Sequence, residues 1–136
     1  MNAPLELPRA ESDPPPDLMW PGDDAHIPDW IYTDQRVYER ELDRIFLGRS
    51  WNYVGLDCEL PSPGNYIRSF VGAIPVVVAR DPAGEVHVFE NRCAHRGVEF
   101  CRSYRGKTDE FICPYHNWAY DLQGKLIGVP FRRGVK

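Results

Sequence analysis

Cys93-Ala94-His95-Arg96-Gly97 and Cys113-Pro114-Tyr115-His116-Asn117-Trp118 are the two segments from which this chain is best read. The pattern is C-x-H, then seventeen residues, then C-x-x-H. Two thiols and two imidazoles in this order make a four-ligand metal set. In an extended loop, ligands two positions apart project to the same side, so Cys93 and His95 can face one point. Gly97 lets the first loop turn tightly because it accepts positive φ. Pro114 stiffens the second loop between its ligands.

The order of the ligands bears on the metal. A zinc finger groups its cysteines in one half and its histidines in the other, and an alternating Cys-His-Cys-His order fits that poorly. A two-iron, two-sulfide cluster with two thiolates on one iron and two imidazoles on the other needs each loop to supply one of each, as here. Zinc stays open as the lesser reading.

Working outward, each segment follows an apolar run, Val86–Asn91 or Glu110–Cys113. Further short runs lie at Trp51–Leu56, Tyr66–Val71, Pro75–Arg80, Trp118–Asp121 and Lys125–Gly128. Pro61-Ser-Pro-Gly64, Asp81-Pro-Ala-Gly84 and Asp121-Leu-Gln-Gly124 are turn signals between them. Strands at this spacing predict an antiparallel β-sandwich or small barrel, with the β-branched Val76-Val77-Val78 as an interior strand.

Before the strands, residues 33–49 predict a helix, capped by Thr33 or Asp34, with Val37, Tyr38, Leu42, Ile45 and Phe46 on one face and Gly48 at its end. That face is expected to dock on its own domain. Residues 1–32 form a proline-rich acidic arm. Its first thirty residues hold Glu6, Glu11, Asp13, Asp17, Asp23, Asp24 and Asp29 against Arg9 alone. Residues 1–18 are expected to be a solvated tail. Trp20, Ile27 and Trp30 suggest an extended strap lying on a surface.

Composition narrows the function classes. With 43% hydrophobic and 12% aromatic residues the chain has material for a core. A net charge of −4 argues against nucleic-acid binding. No apolar run reaches the roughly 20 residues of a membrane span, and the N-terminus lacks the basic and apolar regions of a secretory signal, so the expected compartment is the cytoplasm.

The two motifs closely resemble those of the Rieske domain in the large (alpha) subunits of bacterial aromatic ring-hydroxylating oxygenases. Trp20-Pro-Gly22, the segment 33–49, Trp51-Asn-Tyr-Val-Gly55, Pro63-Gly-Asn-Tyr66 and Gly128-Val-Pro-Phe131 extend the likeness. Within the family the chain is most similar to the salicylate 5-hydroxylase and anthranilate type. The resemblance implies a mainly β chain: a Rieske domain over 33–136, an antiparallel β-sandwich with an N-terminal helix at 33–49, preceded by the arm at 1–32. It implies a [2Fe–2S] cluster on Cys93, His95, Cys113 and His116. It implies electron transfer from a reductase or ferredoxin to a mononuclear non-haem Fe(II) in a C-terminal catalytic domain that these residues do not include. Other alpha subunits, with a small beta subunit as a further partner, are the implied assembly; no membrane or nucleic acid is.

The main alternative is a stand-alone Rieske ferredoxin, against which the long segment before residue 50 argues. A zinc-stabilised interaction module is the third reading. Respiratory Rieske proteins add a bridging cysteine to each loop, where this chain has Val98 and Tyr115. Cys58 and Cys101 are expected to be buried or partly buried free thiols, and His26 and His87 structural. Trp118 is expected to shield the cluster, and Asn117 or Tyr104 to be able to donate to its sulfurs.

Cys93→Ser or His116→Ala is expected to abolish cluster assembly, whereas Cys58→Ser and Cys101→Ser are expected to retain it. Iron analysis of the four purified variants checks this. Loss of iron from Cys101→Ser contradicts the ligand set.

Overall fold

A computed structural model describes residues 19, 20, 22 and 25–131 of the chain. The expected solvated tail over 1–18 and the end at 132–136 lie outside these residues. The chain divides into two compact units, 1–51 and 52–136, and the helical segment falls in the first.

In the first unit the expected helix over 33–49 forms as a continuous helical run from Gln35 to Phe46, capped by Asp34 as one of the two expected caps, and a separate short helical turn precedes it across a break. α1 spans Trp30–Thr33 and α2 spans Gln35–Glu41. The break is Asp34, whose backbone is extended at ψ 122°. Its carboxylate accepts the Arg36 backbone N–H at 2.8 Å and both sides of the Arg36 guanidinium, at 3.0 and 2.7 Å. Asp34 therefore caps α2 and ends α1, because the side chain gives the first N–H groups a partner only from outside the helix. A wide π-helical turn follows at Leu42–Phe46, closed by the Leu47 N–H on the Leu42 carbonyl at 2.8 Å. At Gly48 any Cβ would strike the Arg44 carbonyl, which explains why the turn stops on glycine. No residue of these helical pieces is buried; Tyr38, Ile45 and Phe46 are exposed. Trp20 meets Trp30 edge-on at 6.4 Å, so the aromatic end of the expected strap packs against the first residue of α1.

The second unit is two antiparallel sheets. The first contains β1 (Asn65–Val71), β2 (Ile74–Arg80), β3 (Val86–Glu90) and β4 (Arg105–Lys107), in the order β3-β2-β1-β4. The second contains β5 (Phe111–Ile112), β6 (Ala119–Tyr120) and β7 (Leu126–Gly128), in sequence order. Val76–Ala79 of β2 is buried throughout, as an interior strand requires. Val77 and Ala79 point into one core with Phe100, Phe111, Tyr120 and Leu122. Val78 points the other way, onto Leu60 and Ile67. The first core joins both sheets through rings: Phe111 lies 5.2 Å from Tyr66, 5.8 Å from Phe89 and 5.7 Å from Phe100.

Two expectations fail. Trp51–Leu56 is not a strand. The Leu56 N–H goes to the Glu59 carboxylate at 2.8 Å, which turns the chain into a 3₁₀ turn at Asp57–Glu59 and leaves Trp51 and Tyr53 exposed. Cys58, on that turn, is exposed instead of buried. The short strand β4 and the tight Gly72-Ala73 connection between β1 and β2 were not foreseen. No helix among the described residues is long and apolar enough to cross a membrane.

Both expected Asp-x-x-Gly turns form with the same bonds. Asp81 Oδ1 accepts the N–H groups of Ala83 and Glu85 at 2.9 and 3.0 Å; Asp121 Oδ1 accepts those of Gln123 and Lys125, both at 2.9 Å. Asp81 is the buried one, and its Oδ2 also accepts His87 Nε2 at 2.8 Å and Gln123 Nε2 at 3.0 Å. The Gln123 bond ties the turn of one sheet to the turn of the other. His87 is structural, as expected.

The hydrogen bond from His87 holds the Asp81 carboxyl near pKa 2, below its ordinary 3.8, against the upward push of burial and with help from Gln123 and the two backbone N–H groups. A carboxyl depressed on folding stabilises the fold above its ordinary value and loses that contribution as pH falls toward 2. Urea midpoints measured from pH 5 downward are expected to fall over this window in the parent and to fall less in Asp81→Asn. Equal slopes contradict the assignment.

Candidate metal centre

β3 ends at Glu90 and β5 at Ile112, and the two motif loops begin just beyond those ends. The loops have the same backbone. In the first, the Gly97 N–H bonds the Cys93 carbonyl and the Cys93 N–H bonds the Val98 carbonyl, both at 2.8 Å. In the second, the Asn117 N–H bonds the Cys113 carbonyl at 2.9 Å and the Cys113 N–H bonds the Trp118 carbonyl at 2.8 Å. Each loop turns through a positive φ at its fifth position, +70° at Gly97 and +56° at Asn117. Asparagine tolerates this region better than most side chains, which is the signal that Asn117 does the work of Gly97.

The four expected ligands form two pairs, thiol with thiol and imidazole with imidazole. Cys93 and Cys113 are 3% and 1% exposed, and the two thiols are within hydrogen-bonding reach of each other. His95 and His116 are exposed, with ring centroids 4.6 Å apart and planes at 65°. Thiols thus lie inward and imidazoles outward. No three His, Cys, Asp or Glu side chains among the described residues are grouped to hold one ion. One pair of thiols and one pair of imidazoles are the donors that two metals held by two protein ligands each require.

The surroundings act on the ligands. Burial pushes the Cys93 thiol up, but the Tyr120 hydroxyl, the backbone N–H groups of His95 and Arg96 and the Cys113 thiol outweigh it, so its pKa lies below the ordinary thiol value. Tyr120 donates to Cys93 Sγ at 3.2 Å and accepts the Ala94 N–H at 2.9 Å. Burial and the Cys93 bond push Tyr120 itself up to about 12, so it stays a donor. Its ring is stacked on Phe100 at 4.8 Å. His116 is held below the usual imidazole range, first by desolvation and then by the charges of His95 and Arg96. A neutral imidazole and an easily ionised thiol are the forms that bind metal.

Two residues here escaped the sequence reading. Tyr120 supplies the sulfur hydrogen bond for which Asn117 and Tyr104 were the candidates; Tyr104 is exposed. Its signal was its place two residues after Trp118, where an extended chain projects both side chains to the same side. Asn91 is fully buried, and its side chain bonds both backbone groups of Cys101, at 2.8 Å to the carbonyl and 2.9 Å from the N–H. It ties together the two ends of the first loop. Cys101 lies in the core, its thiol pushed up by burial and donating to the Ser103 carbonyl at 3.5 Å. Nothing places it among the ligand side chains. Trp118 is half-buried, and its indole is stacked on His95.

Residues 50–136 match the family model for the Rieske [2Fe-2S] domain. The chain is 50% identical over 123 residues to the large oxygenase component of salicylate 5-hydroxylase from a Ralstonia species, covering 90% of this chain and 29% of that protein. It is 44% identical over 128 residues to the large subunit of anthranilate 1,2-dioxygenase from Burkholderia cepacia, covering 93% and 30%. Among solved structures, naphthalene 1,2-dioxygenase from a Rhodococcus species, bound to indole, superposes with a TM-score of 0.71 at 38% identity, over 76% of this chain and 23% of that one. The chain therefore spans under a third of the length of these relatives.

Proposed function

This chain belongs to the family of Rieske [2Fe-2S] domains, and from that premise we propose that Cys93, His95, Cys113 and His116 hold its cluster. The observation that carries the assignment is the convergence of two matched loops with buried thiols and exposed imidazoles. The donor set fits the group: two thiolates suit one iron and two neutral imidazoles the other. When bound, the cluster supplies one-electron transfer.

The protein's own residues prepare that chemistry. The core shields the thiols from water, and the hydroxyl of Tyr120 with the N–H groups of His95 and Arg96 offsets negative charge at the Cys93 sulfur. The exposed imidazoles put the ligand edges where a partner can reach them. In the whole protein the domain serves the large subunit of an aromatic ring-hydroxylating oxygenase. A reductase or ferredoxin supplies the electron, which passes to a mononuclear iron in the rest of the subunit, within an assembly of such subunits. The likeness to the salicylate and anthranilate enzymes supports this reading and makes aromatic acids the substrate class to test.

Among the described residues the hydroxyl bonded to a ligand sulfur is that of Tyr120, and no serine follows His116 in the second loop. A redox titration of the holo-protein is expected to give a midpoint near the low end of the Rieske range, about −150 mV. Tyr120→Phe is expected to lower it by about 20–65 mV, the equivalent of one hydrogen bond of about 0.5–1.5 kcal/mol in a one-electron couple. A clearly positive parent midpoint, or no shift in the variant, contradicts the account.

A further inference from the structure

The second loop runs directly into β6; Trp118, just before that strand, and Tyr120, within it, reach the first loop at two points. Tyr120 holds the inner ligand, by its bonds to Cys93 Sγ and the Ala94 N–H. Trp118 meets the outer one: its indole lies parallel to the His95 ring, with centroids 4.8 Å apart and planes within 9°. The indole itself is anchored, since it is half-buried against the core that contains Phe100, Phe111 and Tyr120.

His95 is exposed, so enclosing atoms do not fix its ring. An exposed side chain keeps its rotamer freedom unless a specific contact removes it. His116 is placed differently. Its ring neighbour is Tyr115 of its own loop, at 3.9 Å and tilted by 37°. Arg96 reaches across from the first loop to that same Tyr115, its Nη1 3.4 Å from the hydroxyl and its guanidinium carbon 5.7 Å from the ring centre. The two imidazoles touch each other, with centroids 4.6 Å apart, but their other supports differ: His95 rests on a core-anchored ring from the opposite loop, and His116 on an exposed ring beside it in sequence.

We propose that Trp118 is the positioning residue for His95, fixing the plane of this imidazole through the stack and acting on His116 only through its contact with His95. The inference rests on the ligand assignment made above. A ligand ring whose plane is fixed by a neighbour holds its orbital overlap with the metal in one geometry. A residue that only packs the core would not act on one imidazole more than on the other.

The test uses the reduced holo-protein and reads the nitrogen hyperfine couplings of the two coordinated imidazoles by pulsed EPR, in the parent, Trp118→Leu and Trp118→Phe. In Trp118→Leu one coupling is expected to shift and broaden more than the other. Trp118→Phe, which keeps a flat ring, is expected to restore the parent pair. Two unchanged couplings in Trp118→Leu, two that shift equally, or the same spectrum in Leu and Phe overturns the proposal. If Trp118→Leu holds no cluster, Trp118→Phe decides: parent-like couplings support the stack, and loss of the cluster there too overturns it. A parent protein without a Rieske signal overturns the ligand assignment itself, and this inference with it.

Discussion

The proposed centre requires two thiols and two imidazoles, on loops from two different sheets, to meet with the sulfurs turned inward and the rings turned outward, and much of the second unit's packing bears on that requirement. The first loop leaves the sheet of β3; the second lies between β5 and β6 of the other sheet. They can meet only because the sheets share a core, in which Phe111 touches Tyr66, Phe89 and Phe100. Beneath the loops Phe100 stacks on Tyr120, and Tyr120 reaches Cys93. Packing and ligand placement are thus one network. At the turns, the Asp81–Gln123 bond links the same two sheets a second time.

The same arrangement separates two electrostatic environments. Cys93 lies in the core, where burial alone would keep its thiol protonated, and donors aimed at the sulfur reverse that balance. The imidazoles are exposed, and desolvation together with neighbouring positive charge keeps His116 in its neutral form. For Cys93 and His116 the surroundings thus favour the protonation state that a metal ligand needs. Asn91 contributes by different means. Fully buried, it replaces a strand partner for Cys101 with its own amide and so closes the base of the first loop without a longer sheet.

How much of this could be read from residues alone depended on whether the cause was local. The β2 strand was legible because Val76-Val77-Val78 has few other uses, and the turns at Asp81 and Asp121 because aspartate and glycine at those offsets bond their own backbone. The four candidate ligands were legible from spacing. The helix within 33–49 and its Asp34 cap were legible from periodicity and capping chemistry, but the extra turn at Trp30–Thr33 and the widening at Leu42–Phe46 leave no mark in the apolar spacing. The run at Trp51–Leu56 alternates like a strand, and only the carboxylate of Glu59 diverts its backbone. Tyr120 and Asn91 were missed because their partners, Cys93 and Cys101, are set by tertiary contact and not by neighbours in sequence. Cys58 was expected inside because cysteine is usually buried, but it stands on the exposed 3₁₀ turn that replaced the strand.

The central claim is that one thiol and one imidazole from each loop complete a mixed-ligand iron–sulfur cluster. Metal and inorganic sulfide analysis of the purified chain, combined with the EPR spectrum of its reduced form, tests it most directly. The account predicts two irons and two sulfides per chain and an average g below that of an all-cysteine cluster, because imidazoles replace thiolates on one iron. A colourless protein with one zinc per chain, or a reduced spectrum of the all-cysteine type, would contradict it.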